Sequence, residues 1–404
     1  MQPILYLCHR IPYPPNKGDK IRSYNILKFL SQHYQVHLGA FVDDPDDFRY
    51  ESIVADICAS HCLLPLNPQL GKLKSLSGFV KCTPLGLPYY ANSKMQNWVN
   101  AVIDENELAG ALVFSSTMAQ YLAGERFAQL KRYIDFIDID SDKWAQYKSQ
   151  ASPIMKLVYG YEARKLFDWE KRVATEFDHS FFVSEKESEL FKKMVPSASE
   201  KISYFNNGVD TDYFSPSKSY QSPYPDACNA IVFTGAMDYW ANVDAVVWFA
   251  REVFPAVCEK VDNLKFYIVG SKPDEKVKAL AASSNIVVTG AVDDVRPYLA
   301  HASLAVAPMR IARGIQNKVL EAMAMALPTV TTSQGYEGIN AIRARDLIVV
   351  DEVSGWVDTL VDLLANNSHA AIGAAAKKLV EEGYSWQSSL MRLKQHLDVS
   401  GMDS

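Results

Sequence analysis

The chain has 404 residues, 48% hydrophobic and 22% charged, with a formal net charge of −6. This length is enough for two or three domains, and the composition is that of an ordinary globular protein. The negative charge argues against nucleic acid as a partner, and the lack of any apolar run of 18 residues argues against a membrane-spanning helix.

The cysteines indicate a reducing compartment and no disulfide framework. Six of them are scattered along the chain and none forms a CxxC pair, so we expect free thiols in a cytoplasmic protein. Cys58, His61 and Cys62 resemble half of a zinc site, but no second pair of ligands lies nearby, so we expect no metal. The N-terminal segment, MQPILYLCHRIPYPP, lacks a basic start and a cleavage site, and we interpret it as a first core strand.

In the first half, apolar runs alternate with amphipathic helical patterns, including a helix from Asp19 to about Gln32. This alternation is typical of a parallel sheet that is covered by helices on both faces. Asp138, Asp140 and Asp142 cluster at the end of one predicted strand, where they can contact a ligand or simply form a turn. The predicted strands of this half span 4–8, 36–42, 111–115, 133–139 and 177–184, and a further helix spans 185–194.

A loop-rich break at 206–225 separates this half from a second one in which the alternation restarts. Three of the new strands stop at Gly235, Gly270 and Gly290, and open α/β sheets bind ligands at such carboxyl ends. We therefore predict an α/β protein with two Rossmann-like domains facing across a cleft. The predicted domains are 1–208, a linker at 209–228, 229–383, and a closing helix at 384–404 that crosses back to the first domain.

The segment from 304 to 332 carries the strongest functional signal. It reads as a buried strand at 304–307, a loop with Arg310, Arg313 and Gly314, and a helix over 315–326 that ends before Pro328. Lys318 and Glu321 interrupt an otherwise apolar helix on the face that Gly314 begins. A cation near a helix N-terminus suits phosphate, and a carboxylate farther along suits sugar hydroxyls. The alternative is a Lys–Glu pair on an exposed surface, which the surrounding α/β pattern disfavours.

Two stretches combine basic and apolar or aromatic residues, at 71–90 and at 155–172. Such composition suits a membrane surface or an anionic lipid-linked acceptor. The alternative, which this weak compositional signal favours, is a solvated loop and an ordinary amphipathic helix.

Several motifs are similar to those of a known family. They include PPNKGDKIRSYNILKFL at 14–30, NGVDTDYFSP at 207–216, VTGAVDDVRPYLAHASLAVAP at 288–308, LEAMAMALPTV at 320–330 and YSWQSSLMRL at 384–393. On these motifs the chain resembles family-4 glycosyltransferases of the GT-B type over nearly its whole length. It looks most like the sugar transferases of bacterial exopolysaccharide clusters, including those found with PEP-CTERM/exosortase systems.

The resemblance implies a nucleotide-sugar in the cleft, with Glu321 bonding the ribose. The sequence also departs from the family, because Arg313 replaces a first Glu and the Arg/Lys pair is missing from GAMDYWANVD. The resemblance therefore leaves charge neutralisation to Arg310, Arg313 and Lys318. The catalytic set that we expect is Arg313, Lys318 and Glu321. Donor contacts are expected at Gly18, Gly235, Arg310, Gly314, Ile315, Asn317, Lys318 and Glu321, and acceptor-side contacts at Lys17, Arg22, Asp138 and Asp142.

The implied function is transfer of a sugar from a nucleotide-sugar to a glycan or lipid-linked acceptor, with retention and with no metal or cofactor. The protein is expected in the cytoplasm, with the inner-membrane surface as a candidate partner and no nucleic acid. Two alternatives stay open. One is a non-catalytic member that binds a nucleotide-sugar within an assembly, which Arg313 keeps open. The other is a nucleotide-sugar epimerase, for which we find no set of carboxylates and histidines around a donor sugar.

Overall fold

The computed structural model describes residues 1–15, 18–150, 152–312, 315–365 and 369–399. The chain forms two compact units. The first contains Met1–Asn207 together with the chain from Leu390 onward, and the second contains Gly208–Ser389. Among the described residues, no helix combines the length and the apolar character that crossing a membrane requires.

In the described residues of the first unit, seven parallel strands form a sheet in the order β3-β2-β1-β4-β5-β6-β7. The order expands outward from β1 in both directions, which is the arrangement of a doubly wound fold. The strands are β1 (Pro3–Cys8), β2 (Gln35–Val42), β3 (Ser60–Pro65), β4 (Gly110–Phe114), β5 (Arg132–Ile137), β6 (His179–Phe182) and β7 (Ile202–Tyr204).

The strand β1 is central because both of its faces are covered. From Ile4 to Cys8 it is entirely buried, as expected for an apolar run between two parallel neighbours. The sequence did not predict β3, an edge strand whose residues are only half buried and whose pattern is correspondingly weak. The helices of this unit are α1 (Gly18–His33), α2 (Glu51–Ala55), α3 (Pro68–Ser75), α4 (Ser77–Lys81), α5 (Gly86–Tyr90), α6 (Ser93–Glu105), α7 (Asp140–Gln150), α8 (Pro153–Glu176) and α9 (Glu185–Met194).

In the second unit, the described residues form a sheet of six parallel strands in the order β10-β9-β8-β11-β12-β13. The strands are β8 (Asn229–Thr234), β9 (Leu264–Val269), β10 (Ile286–Gly290), β11 (Leu304–Ala307), β12 (Thr329–Thr331) and β13 (Ile348–Val349). The helices are α10 (Trp240–Trp248), α11 (Phe254–Cys258), α12 (Glu275–Lys278), α13 (Arg296–His301), α14 (Asn317–Ala324), α15 (Ser333–Tyr336), α16 (Val353–Ala365), α17 (His369–Gly383) and α18 (Trp386–Val399). The two parallel sheets confirm the predicted α/β class with two Rossmann-like domains.

The chain enters the second unit beside the start of α18. Val209 donates its amide to the carbonyl of Tyr384 at 2.7 Å and forms a parallel bridge with Ser385. Gly208 is required here, since a Cβ on it would stand 2.4 Å from the backbone nitrogen of Trp386. The helix α18 begins in the second unit, and its residues from Leu390 onward belong to the first.

Candidate functional site

The carboxyl ends of β8 and β9 approach each other so closely that glycine is needed on both. Gly235 follows β8 with a φ of 152°, and its amide donates to the carbonyl of Val269 at 3.0 Å. A Cβ on Gly270 would stand 1.7 Å from the carbonyl oxygen of Gly235. Gly235 thus brings no side chain of its own to the loop after β8, as close approach of a diphosphate to the backbone requires.

Lys318 packs against Gly235. A Cβ on Gly235 would lie 3.3 Å from Lys318 Cε, and the ammonium nitrogen is 5.5 Å from the ring centroid of Phe233. Its ammonium donates to Gln316 Oε1 at 3.4 Å, which is long for a charged hydrogen bond. Burial lowers the pKa of Lys318 to about 8, and the negative charge of Glu321 opposes that shift. Lys318 therefore places a weakly paired cation beside the loop after β8.

The helix that carries Lys318 begins at Asn317, with Gln316 at the N-cap position. The Gln316 side chain makes no capping hydrogen bond, and the first bond to its carbonyl comes from Val319 at 3.0 Å. Among the described residues, the amides of Asn317 and Lys318, at the start of this helix, therefore have no intrahelical acceptor. Amides at such a position, together with the helix dipole, favour an anion.

Glu321 lies one turn farther along α14 and is partly buried. Within the part of the chain that the structure describes, its carboxylate accepts no hydrogen bond, and no ion pair within 4.0 Å joins it to Lys318. Burial raises the pKa of Glu321 to about 7, and the attraction of Lys318 only partly offsets this. Near neutral pH this carboxylate can ionise. Its charged form is stabilised most when a ligand hydroxyl donates a hydrogen bond to it.

The helix α14 confirms most of its sequence prediction, although it is two residues shorter at each end than expected. Arg313 and Gly314, two of the predicted site residues, lie outside the described residues. Ile315 packs against the hydrophobic core of the second unit, and Asn317 is exposed at the first position of α14. In the described segments, the residues that the structure brings together are Gly235, Lys318 and Glu321.

Arg310, a predicted donor contact, is paired with another side chain. Its guanidinium forms a bidentate ion pair with Asp244 on α10. Nε donates to the carboxylate at 3.0 Å, and Nη2 donates a second hydrogen bond. This pairing raises the pKa of Arg310, so the guanidinium stays charged but is already satisfied. A sequence reading could not reveal this contact, because Asp244 precedes Arg310 by 66 residues.

Asn242 is a site residue that the sequence indicated only as a helix cap. It is buried in the first turn of α10, and its Nδ2 donates to the carbonyl of Ala236 at 2.8 Å. The bond holds the loop after β8, and a Cβ on Gly235 would stand 2.8 Å from the same nitrogen. The signal in the sequence was a lone amide in the apolar helix WANVDAVVWF.

In the first unit, Arg22 has a structural position instead of the predicted acceptor-side one. Its side chain is 1% exposed, and its Nε and Nη2 donate to the carboxylate of Asp135 at 2.7 and 3.1 Å. Its Nη1 donates to the carbonyl of Phe205 at 3.1 Å and to Asn207 Oδ1 at 2.9 Å. The guanidinium thus ties α1 to β5 and to the last residues before the second unit.

The predicted acidic cluster lies after β5 and is largely paired. Lys143 contacts Asp138 at 2.7 Å and Asp140 at 3.2 Å, and Asp142 accepts from Gln146 at 2.5 Å. Of the other predicted residues, Lys17 lies outside the described part. Gly18 begins α1, and a Cβ on it would meet nothing within 4 Å.

A second charged cluster, which the sequence analysis missed, follows β1 in the motif CHR. Arg10 contacts Asp19 and Asp43, each at 2.9 Å, and His9 Nε2 lies 3.3 Å from the same Asp19. The His9 ring stacks on Phe114 with centroids 5.7 Å apart. The hydrogen bond from His9 and the charge of Arg10 hold the pKa of Asp19 well below its usual range, although burial opposes this.

No group of three potential ligands that could hold a metal ion occurs among the described residues. His61 contacts Glu51 at 3.0 Å, and burial raises the pKa of the Cys58 thiol to about 12.

Comparison with known proteins shows which proteins the chain is similar to. The family model for Glycosyl transferases group 1 matches residues 228–366, which include Gly235, Lys318 and Glu321. A protein of Klebsiella pneumoniae described as an uncharacterized 44.6 kDa protein in cps region is 21% identical, over 95% of this chain and 97% of its own length.

Several solved structures share the fold over both units. Sucrose-phosphate synthase (tll1590) from Thermosynechococcus elongatus has a TM-score of 0.67 and 14% identity, covering 100% of both chains. Anabaena Alr3699/HepE in complex with UDP-glucose has a TM-score of 0.62 and 12% identity, covering 99% of this chain and 100% of its own. WaaG, a glycosyltransferase involved in lipopolysaccharide biosynthesis, has a TM-score of 0.60 and 16% identity, covering 97% and 98%. The fold is therefore of the GT-B type, and with the group 1 match it supports a glycosyltransferase.

Proposed function

We propose that this protein transfers a sugar from a nucleotide-sugar donor to a glycan or lipid-linked acceptor in bacterial exopolysaccharide biosynthesis. One observation carries the proposal. At the carboxyl edge of the second sheet, the glycine backbone at Gly235, the Lys318 cation and the Glu321 carboxylate lie on adjoining elements. This is the edge at which open α/β sheets bind ligands.

The diphosphate of the donor is assigned to the start of α14. The amides of Asn317 and Lys318 can donate to phosphate oxygens, and the Lys318 ammonium supplies a full positive charge beside them. A bound phosphate would raise the pKa of Lys318 from about 8, so the cation is retained in the complex at neutral pH. No acid is needed for the nucleoside diphosphate to depart, since these groups stabilise the charge that develops on it.

Glu321 is assigned to the ribose of the donor. A carboxylate one turn inside a helix can accept two vicinal hydroxyls, and Glu321 has no competing donor among the described residues. Burial raises its pKa by disfavouring the charged form, and hydroxyls that donate to the carboxylate would stabilise that form. We assign the acceptor to the first unit, with Asp138 and Asp142 as candidate contacts.

The finer features of the proposal come from resemblance. We propose membership of family 4, retention of anomeric configuration, no metal or cofactor, and a place among exopolysaccharide clusters such as those of PEP-CTERM systems. The Klebsiella relative in a cps region supports the link with polysaccharide. Since the Anabaena neighbour is described with UDP-glucose, UDP-sugars are the first donors to test.

The test is calorimetric titration of the full chain with a panel of nucleotide-sugars, followed by product analysis with a lipid extract as acceptor. The proposal expects binding of one donor, with slow hydrolysis or with transfer to a lipid-linked product. Binding without any turnover would support a non-catalytic binding protein, and interconverted nucleotide-sugars would support an epimerase. Absence of binding by every donor would overturn the assignment of Lys318 and Glu321.

A further inference from the structure

The first unit carries large apolar side chains that no other part of the described chain covers. In α3 and α4, Leu73 is 65% exposed and Val80 is 86% exposed. We call this region the α3–α4 surface. Its apolar members are Leu70, Leu73, Leu76, Phe79 and Val80, and its basic members are Lys72, Lys74 and Lys81.

The surface continues onto the start of α8. The Phe79 ring lies 4.7 Å from the ring of Tyr161, whose hydroxyl donates to the carbonyl of Gly78 at 2.8 Å. One helical turn before Tyr161, Leu157 is 77% exposed. The exposed side chains of both segments therefore belong to one packed region and not to a frayed loop.

The charge of this region is opposite to that of the whole chain. Residues 57–103 contain no Asp or Glu, and neither do residues 143–161, although the protein has a net charge of −6. The first acidic side chain after the second of these segments is Glu162, which is buried. Its carboxylate accepts a hydrogen bond from the amide of Leu85 at 2.7 Å. The exposed lysines here are therefore not neutralised by neighbouring carboxylates on these segments.

We propose that the α3–α4 surface binds an anionic lipid bilayer. Leucine and valine side chains can enter the headgroup region while lysine stems extend along it and keep their ammonium groups at the phosphates. Each lysine near an anionic membrane strengthens partitioning by roughly fivefold. A second copy of this chain is a poorer occupant, because a symmetric contact would bring the same lysines together.

The position of the α3–α4 surface in the first unit suits peripheral binding to a membrane. The helix α3 starts three residues after the carboxyl end of β3, and a Cβ on Gly86 would stand 2.9 Å from the methyl group of Thr117, which follows β4. The surface thus adjoins the carboxyl edge of the first sheet. The inference goes beyond the proposed function, since binding to lipid requires neither a nucleotide-sugar nor turnover.

The test is flotation of the full chain with vesicles of phosphatidylcholine, with and without about one third phosphatidylglycerol. We expect binding to the anionic vesicles, weakened by high salt, and little binding to the neutral ones. Equal binding to both kinds of vesicle, or binding to neither, would overturn the proposal.

Paired variants localise the contact. Lys72→Glu with Lys74→Glu should weaken partitioning at least roughly thirtyfold. Leu73→Ser with Val80→Ser, at positions already exposed, should also weaken it while leaving the melting temperature unchanged. The matched control, Lys276→Glu with Lys278→Glu in the exposed helix α12, should bind as the wild type does.

An equal loss in the control would show that net charge and not this surface is responsible, and would overturn the proposal. A change from dimer to monomer in the α3–α4 variants, combined with no vesicle binding by the wild type, would also overturn the proposal. All these variants should keep wild-type affinity for nucleotide-sugars, so failure of the membrane proposal is distinguishable from failure of the donor site.

Discussion

The carboxyl edges of the two sheets differ in how their charges are satisfied. In the first unit, the Arg22 guanidinium is matched by Asp135, and Arg10 by two carboxylates. In the second unit, Lys318 and Glu321 have no close ionic partner among the described residues, and the pKa of each is shifted toward neutrality by burial. Matched buried charges hold elements together, whereas unmatched ones lower stability unless a ligand completes them.

The largest expected effect comes from breaking the matched pair. Arg22→Met should lower the free energy of unfolding by about 3–5 kcal/mol, since it leaves the buried carboxylate of Asp135 without its cation. Arg172→Met is the control, because that arginine forms an exposed pair with Glu176 and should change stability by less than about 1 kcal/mol. Denaturant unfolding measures both variants. Equal losses would contradict a structural role for Arg22.

Next in size is the loss of the ribose contact. Glu321→Ala should weaken donor binding roughly tenfold to a hundredfold, the range for a lost hydrogen bond to a charged group. Stability should not fall in parallel, because burial of this carboxylate is itself unfavourable. Calorimetry with the best nucleotide-sugar checks the affinity and thermal unfolding checks the fold. Unchanged affinity would remove Glu321 from the site.

A smaller effect is expected from a substitution where the ends of β8 and β9 meet. Gly270→Ala would place a Cβ 1.7 Å from the Gly235 carbonyl, so the loop must shift at a cost of roughly 1–3 kcal/mol in stability. Donor affinity should fall with it, because the loop is displaced from Lys318. Gly383→Ala is the control, since a Cβ there meets nothing within 4 Å. Donor binding that survives the loop shift would argue against contact with this loop.

The smallest effect is the pH dependence of donor affinity. Below the Glu321 pKa of about 7 the carboxylate is protonated and accepts hydroxyls poorly, so affinity should fall toward acid, at most by the loss expected for Glu321→Ala. Above the Lys318 pKa of about 8 the ammonium loses its charge, so affinity should also fall. We expect a maximum between these values. In Glu321→Gln the acid limb should disappear, and a persistent acid limb would assign it to another group.

The sequence predicted the elements that follow from local pattern. The strand β11, with the buried run LAVA, has the bounds expected from sequence, and the Lys318–Glu321 stripe lies on the predicted helix. The end of that helix was harder to predict, because Ala326 adopts a φ of 55°. Alanine rarely takes this conformation, and no sequence pattern indicates it. Arg22 was misassigned because its partner Asp135 is 113 residues away.

The central claim is that the second unit binds a nucleoside diphosphate through the Lys318 cation beside Gly235. The most direct measurement compares the binding of UDP and of uridine to the wild type and to Lys318→Met, which keeps an apolar stem against Gly235 and Phe233. The account predicts that the variant loses at least about tenfold in affinity for UDP, as expected for a charge-assisted phosphate contact, and nothing for uridine. Equal UDP affinity in the two proteins would contradict it.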